Sequence, residues 1–127
     1  MQKGYVTLGV RELQDSKHFW NQGVGLPECG QWPAQLALAL GELELLLDAT
    51  GAIPIAPGLE MGLHRTKDQI EETLRNLSNL GFKPFRGPKD FGGPLGFEAG
   101  VRDPDGYVLV LYAGESRELL NTRPGTV

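Results

Sequence analysis

Few residues in this chain are suited to acid–base or metal chemistry, and their types and spacing limit what that chemistry is. The 127 residues include two histidines, His18 and His64, and one cysteine, Cys29. His18 falls on the polar side of a helical repeat and reads as a surface residue. Two readings stand for His64. It shares strand parity with Glu60 and Gly62, which suits a ligand contact or a general base beside Glu44 or Asp48. It also fits, and more simply, a partly solvated histidine that ends a strand just before a helix cap. Cys29 has no histidine at a readable spacing, and a lone thiol excludes an internal disulfide or a thiolate cluster. Any metal would therefore have to be held by histidine and carboxylates. Glu44, Asp48, Glu98 and Arg102 are candidate polar anchors, with plain surface placement the alternative for Arg102. The phenol of Tyr5 either donates to a ligand oxygen or fills space. Trp32, beside Pro33, and Phe91, within GPKDFGGPLGF, are large rings that strand alternation does not bury, so each is a candidate for contact with a ligand or a second subunit. That glycine-rich stretch lacks a Gly-Lys-Ser/Thr ending and opens no helix. It suits a flap carrying an aromatic better than a phosphate cradle.

Composition narrows the partners. The net charge is −4 and the twelve basic residues are scattered, so the electrostatic footprint of a nucleic-acid binder is missing. No apolar run approaches the roughly 20 residues of a membrane span, and Met1 leads into a strand rather than a basic-then-apolar leader. These features predict a soluble, cytoplasmic chain of one domain, with no membrane or nucleic-acid partner. Eighteen glycines and nine prolines punctuate it into short elements.

Those elements must position the candidates. Val6, Leu8 and Val10 alternate with Tyr5, Thr7 and Gly9, the signature of a strand over residues 5–11 with two unlike faces. Leu13, Ser16, Phe19 and Trp20 predict a helix over residues 13–22, stopped by Gly23 and Gly25. A loose strand over residues 27–31 precedes two alternating leucine runs, Leu36-Leu38-Leu40 and Leu43-Leu45-Leu47. The pair Gly41-Glu42 between them suits a type II′ hairpin turn, which puts Ala37, Ala39, Glu44, Leu46 and Asp48 on the opposite face. Residues 49–58 read as a linker. Residues 59–65 form a strand, and Thr66 with Gln69 has the capping-box form, opening a helix with an Ile70-Leu74-Leu77-Leu80 stripe and Gly81 at C′. A short strand over 82–85, a Gly/Pro-rich loop over 87–96, a strand over 97–102, the Asp-Pro-Asp-Gly turn and a final strand follow. The tail from residue 114 allows one helical turn over 115–121. Strand, helix and three strands occur twice, and sliding the second half onto the first brings Tyr5 near Met61. The expectation is an α+β fold of two βαβββ modules, residues 4–48 and 59–113, whose sheets curl around a concave trough lined by Tyr5, Thr7, Ala37, Glu44 and their counterparts.

Over residues 4–113 this pattern resembles the vicinal oxygen chelate superfamily of glyoxalase I, extradiol dioxygenases, fosfomycin-resistance enzymes and bleomycin-resistance proteins. The resemblance rests on GYVTLGVRELQDSKHFWNQGVGL, with Glu12, Ser16, Phe19 and Trp20, and on RDPDGY before the last strand. It implies a divalent metal in the members that do chemistry, held by His on strand one, His or a carboxylate opening the second module, and Glu on the last strand. In this sequence those positions are Tyr5, Met61 or Gly62, and Val110. None is a good ligand at neutral pH. Glu44 falls near a fourth position used by some members, and one carboxylate does not make a site. The resemblance therefore implies a metal-free, bleomycin-resistance-like protein, without cofactor, that sequesters a bulky, partly aromatic small molecule as a homodimer. Tyr5, Trp32, Glu44, His64, Phe91, Val110 and Tyr112 would shape its pocket. The alternative is a lyase, isomerase or dioxygenase of the same fold, with a displaced metal site or metal-free acid–base chemistry at His64.

Overall fold

The computed structural model describes residues 4–114; the tail expected to turn over residues 115–121 lies outside them. Two mixed four-stranded sheets, not closed into a barrel, carry the α+β architecture. The first is built from β1 (Gly4–Gly9), β2 (Glu28–Trp32), β3 (Gln35–Leu40) and β4 (Leu43–Asp48), in the order β1-β4-β3-β2. The second repeats it with β5 (Glu60–His64), β6 (Pro84–Asp90), β7 (Phe97–Arg102) and β8 (Val108–Tyr112), in the order β5-β8-β7-β6. In each, the first strand runs parallel to the last and a helix makes the crossover, while the remaining pairs are antiparallel. The hairpin is where the leucine runs placed it: Leu40 faces Leu43 across residues 41–42, with Gly41 at φ +61°.

Helix α2 (Lys67–Asn79) starts on the expected capping box, Thr66 Oγ1 accepting from the Gln69 amide at 3.2 Å and Gln69 Oε1 from the Thr66 amide at 3.0 Å. It ends with Gly81 at φ +96°, and the Phe82 amide returns to the Leu77 carbonyl at 2.8 Å. The first helix departs from a plain α pattern. α1 (Leu13–Lys17) widens into a π-helical stretch, His18–Gly23, in which the Val24 amide reaches the Phe19 carbonyl at 2.9 Å. Phe19 and Trp20 are both fully buried there, and Gly23 lies so close to Leu77 that a Cβ would sit 2.4 Å from its side chain.

The larger correction concerns β6. A Gly/Pro-rich loop was expected from residue 87, yet the strand continues to Asp90 with two irregularities in its register. β6 is the edge of its sheet, where a proline's missing N–H breaks no ladder, so Pro84 and Pro88 are tolerated. Likewise Trp32 ends β2 rather than standing in a loop, because residues 33–34 close a tight hairpin that pairs Trp32 with Gln35.

One continuous core joins the two halves. Leu8, Leu36, Leu38, Leu45 and Leu47 from the first sheet, and Leu63, Ala99, Val101, Leu109 and Leu111 from the second, pack with Phe19, Trp20, Ile70, Leu74 and Leu77 of the helical segments. A polar clamp reinforces it and accounts for the two signature stretches. Trp20 Nε1 donates to buried Asp103 at 3.0 Å, and Asp103 also accepts the amides of Asp105 and Tyr107 at 2.9 Å each. Arg11 pairs with buried Asp105 at 3.1 Å, and Ser16 Oγ donates to the same carboxylate at 3.5 Å. Burial pushes the Asp103 carboxyl up, against the pull of its three donors. The Tyr107 hydroxyl donates to the Gly9 carbonyl at 2.7 Å and accepts from the Ala56 amide at 3.2 Å, which fastens residues 49–58 across the end of β1.

Candidate functional site

With the helix side of each sheet filled, the opposite faces are where a ligand can be met. On the first sheet, parity puts Tyr5, Thr7, Gly9, Glu44, Leu46 and Asp48 on the open face, together with Gln35, Ala37 and Ala39. Small residues keep its floor low. A Cβ on Gly30 would lie 2.6 Å from the Trp32 ring, so the indole folds back over Gly30, and Ala37 beside it is only 1 % exposed. Tyr5, 71 % exposed, stands at the other side, paired in register with Glu44. Tyr5, Trp32, Gln35, Glu44 and Leu46 together line a hollow of about 260 Å³. At its upper edge Gln35 Nε2 donates to Asp48 at 3.1 Å. The Asp48 carboxyl is held below its usual range, first by the Thr50 hydroxyl and then by the Thr50 amide at 2.7 Å. The Cys29 thiol is pushed up, first by burial and then by the Glu44 carboxylate.

The second sheet's open face is closed by rings. Val110 pairs with Gly62 on one side and Gly100 on the other. A Cβ on Gly62 would meet the Tyr112 ring at 3.2 Å, and one on Gly100 would meet Phe85 at 3.0 Å. Two aromatic rings thus occupy the gaps flanking Val110, which is itself 6 % exposed. Val110, expected among the pocket-shaping residues, forms the base of this face rather than an accessible wall. Met61 is also removed from the open face: it pairs with Leu109 and packs against the core, so Gly62 holds the open position.

Tyr5 faces Glu44 on one sheet, Gly62 and Val110 lie beneath Tyr112 and Phe85 on the other, and among the described residues no group of three His, Cys, Asp or Glu is placed to hold an ion. The side chains at the family's ligand positions do not fit a divalent cation.

His64 is exposed, with Nε2 at 3.0 Å from the Gly114 carbonyl and its ring edge-on to Tyr112 at 5.3 Å. The pairing with Glu44 or Asp48 is not found: among the described residues neither carboxylate bonds to it, and both belong to the other sheet. His64, Arg65, Gly62 and Tyr112 instead line a hollow of about 600 Å³ with residues 40–43 of the hairpin. Phe91 stands apart from both hollows, beneath the Arg86 guanidinium at 4.5 Å and Lys89 at 5.4 Å. Its amide closes the base of the short β6–β7 connection onto the Gly96 carbonyl at 3.2 Å. Nearby, Arg86 pairs with buried Glu98 at 3.1 Å, and Arg102 lies over Phe85 at 3.9 Å. Gln35, Phe85 and Arg86 were missed by pattern reading. Their roles depend on which face a bulged or hairpin-ended strand presents, and only the register reveals that.

Comparison with known proteins agrees with this architecture. The model of the Glyoxalase/Bleomycin resistance protein/Dioxygenase superfamily matches residues 3–111. A curated relative, the glutathione transferase FosA of Serratia marcescens, is 27 % identical over 115 residues, covering 87 % of this chain and 79 % of its own. Among solved structures, a glyoxalase/bleomycin resistance protein from Streptomyces sp. CB03234 superposes with a TM-score of 0.67 at 25 % identity, over 86 % of this chain and 97 % of that one. TnmS3, an antibiotic binding protein from the same organism, does so with a TM-score of 0.66 at 24 % identity, over 87 % and 93 %. No helix among the described residues is long and apolar enough to cross a membrane.

Proposed function

Because the chain belongs to the Glyoxalase/Bleomycin resistance protein/Dioxygenase superfamily, we propose that it is a metal-free, cytoplasmic protein that sequesters a bulky, partly aromatic small molecule without turning it over. The observation that carries this reading is the hollow on the first sheet, where two largely exposed rings, Tyr5 and Trp32, flank Glu44 and Gln35 over an apolar floor. Rings held at a surface with polar groups between them suit capture of a flat ligand. The misfit of Tyr5, Gly62 and Val110 to a dication supports binding over metal-assisted chemistry, and the fold is one on which TnmS3 binds an antibiotic.

The ligand's remaining surface is covered, in this proposal, by a second copy of the chain. The open face of the first sheet is acidic and aromatic, with Glu44, Asp48, Tyr5 and Trp32; that of the second carries Phe85 and three basic side chains, Arg86, Lys89 and Arg102, against two acidic ones, Glu60 and the Glu98 that pairs with Arg86. Two copies related by a twofold axis bring unlike faces together twice.

Thermal-shift screening of aromatic natural products and antibiotics, with and without chelator, tests the reading. A ligand of the folded state raises the melting temperature by mass action. The expected result is a chelator-insensitive rise, one ligand per chain, and recovery of the ligand unchanged. Stoichiometric divalent metal in the purified protein, or conversion of the ligand, would overturn it. One observation favours a second reading: His64 and Tyr112 share the larger hollow, as an acid–base pair of a lyase or isomerase would. In that case His64→Ala abolishes turnover and leaves binding intact.

A further inference from the structure

We propose that Asp103 is a proton-operated latch between the two modules: a proton taken from solvent on its Oδ2 releases the Trp20 indole, while the turn that carries Asp103 stays folded. Trp20 belongs to the first module and Asp103 to the second, 83 residues apart, and the bond between them is buried. The two carboxylate oxygens have different partners. Oδ1 accepts the amides of Asp105 and Tyr107 at 2.9 Å each and so holds its own turn, whereas among the described residues Oδ2 accepts only the indole N–H, at 3.0 Å. A proton therefore has room on Oδ2, and a carboxyl hydroxyl is a much weaker acceptor than a carboxylate. Trp20 loses a charge-assisted bond and the turn keeps both of its own. Because each module carries one of the open faces, the latch sets how the two faces are held relative to each other.

The surrounding charges make Asp103 the carboxyl that takes a proton first. It is 5 % exposed and among the described residues pairs with no cation, whereas the equally buried Asp105 is matched by Arg11 at 3.1 Å and accepts the Ser16 hydroxyl as well. Burial first, and the neighbouring Asp105 charge after it, favour the protonated form over the pull of the three donors. The other ionisable groups of the elements packed here are turned elsewhere: Glu12 and Asp15 are exposed, Lys17 pairs with Glu28, His18 bonds to Gln22, Arg102 lies over Phe85, and the Tyr107 hydroxyl bonds to Gly9 and Ala56. Residues 49–58, which cross the same end of the fold, carry no ionisable side chain. A carboxyl whose pKa is raised by folding costs stability when ionised and returns it as pH falls through the folded value, so the release is local and comes before the acid losses of ordinary carboxylates.

The Trp20 indole of the full chain, free of any ligand, reports the latch directly. The chain has two tryptophans, so Trp32→Phe leaves Trp20 as the source of the single indole cross-peak in a nitrogen–proton correlation spectrum. Between neutral pH and the ordinary carboxylate range that peak is expected to move in one titration step. Its hydrogen-exchange protection, corrected for the intrinsic pH dependence, should fall about tenfold, while the backbone amide peaks stay dispersed. Arg11→Met leaves the Asp105 charge unmatched and should carry the midpoint to higher pH, in a side chain exposed enough to spare the fold. Asp103→Asn keeps an acceptor for the turn amides and sets an N–H donor against the indole, so its peak should not titrate. A peak that stays still until the ordinary carboxylate range, a step that persists in Asp103→Asn, or a midpoint indifferent to Arg11→Met overturns the latch. Loss of the folded amide spectrum in the same step also overturns it, because the release is then global unfolding. Should Asp103→Asn fail to fold, the titration of Trp32→Phe with and without Arg11→Met decides.

Discussion

Cys29 and Glu44 make the electrostatics of the first sheet's open face measurable without any ligand. The thiol's pKa is raised first by burial and then by the neighbouring carboxylate, whose charge and hydrogen bond both favour the protonated form. Removing that charge lowers the pKa and increases the thiolate fraction at a given pH, and the thiolate is the species that alkylates. Glu44→Gln should therefore speed reaction of Cys29 with iodoacetamide at neutral pH, and reaction at high pH, where the thiol is ionised in both proteins, should converge. An unchanged or slower rate would show that Glu44 does not hold the thiol. Nothing in the sequence foretold the pairing. Cys29 sits in a bulge between Glu28 and Gly30, where a register shift turns a residue to a face that simple alternation does not give it. By contrast, Tyr5 beside Glu44 was legible, because two regular strands of alternating pattern fix both residues to one side.

At the scale of elements, the end of β4 shows how a strand hands its chain to the linker. Asp48 accepts from the Thr50 hydroxyl, from the Thr50 amide at 2.7 Å and from Gln35 at 3.1 Å, and these donors hold its carboxyl below the ordinary range. A depressed carboxyl contributes stability above its unfolded pKa and loses it as pH falls through the folded value. Thr50→Val removes the hydroxyl and keeps the amide, so it should cost about 1 kcal/mol at neutral pH, less than a buried hydrogen bond to a charged group because Thr50 is exposed to solvent. Urea denaturation at neutral pH and again below the usual carboxylate range checks this. The deficit should shrink in acid, and a deficit independent of pH would assign the loss to packing instead. Elements governed by local spacing were readable in advance: the hairpin at residues 41–42, the capping box of Thr66 and Gln69, and Gly81 at C′. β6 was not, since its prolines signal a loop unless one knows that the strand lies at an edge. Nor was the π-helical stretch, whose widened turn serves the Phe19 and Phe82 rings packed edge-to-face at 5.0 Å.

For the whole molecule, the same rings that cover glycines decide what the two open faces can meet. Trp32 over Gly30, Tyr112 over Gly62 and Phe85 over Gly100 turn what the pattern described as one apolar trough into two unlike surfaces. The first keeps an acidic hollow, and the second becomes a floor of rings crossed by Arg86, Lys89 and Arg102. Trp32, Phe85 and Phe91 remain 52 %, 46 % and 41 % exposed, more aromatic surface than an isolated chain gains from leaving in water. The acidic first face and the second face, where Lys89 and Arg102 are in excess over Glu60 once Arg86 has paired with Glu98, give a second copy a preferred orientation, each first face against the other copy's second. A specific interface of this kind needs on the order of 800 Å² from each partner, and the two open faces of one chain, each roughly 350 Å² from strand spacing and rise, approach it only when both are used. Sedimentation equilibrium of the 13.8 kDa chain should therefore return twice that mass. Arg102→Glu inverts a charge that lies over Phe85 without touching the core or the first-sheet hollow, and it should shift the equilibrium toward monomer, as should high salt. A wild-type monomer at every concentration, or a dimer indifferent to Arg102→Glu, would mean that these faces do not meet, and the exposed rings of the second sheet would then need a different partner.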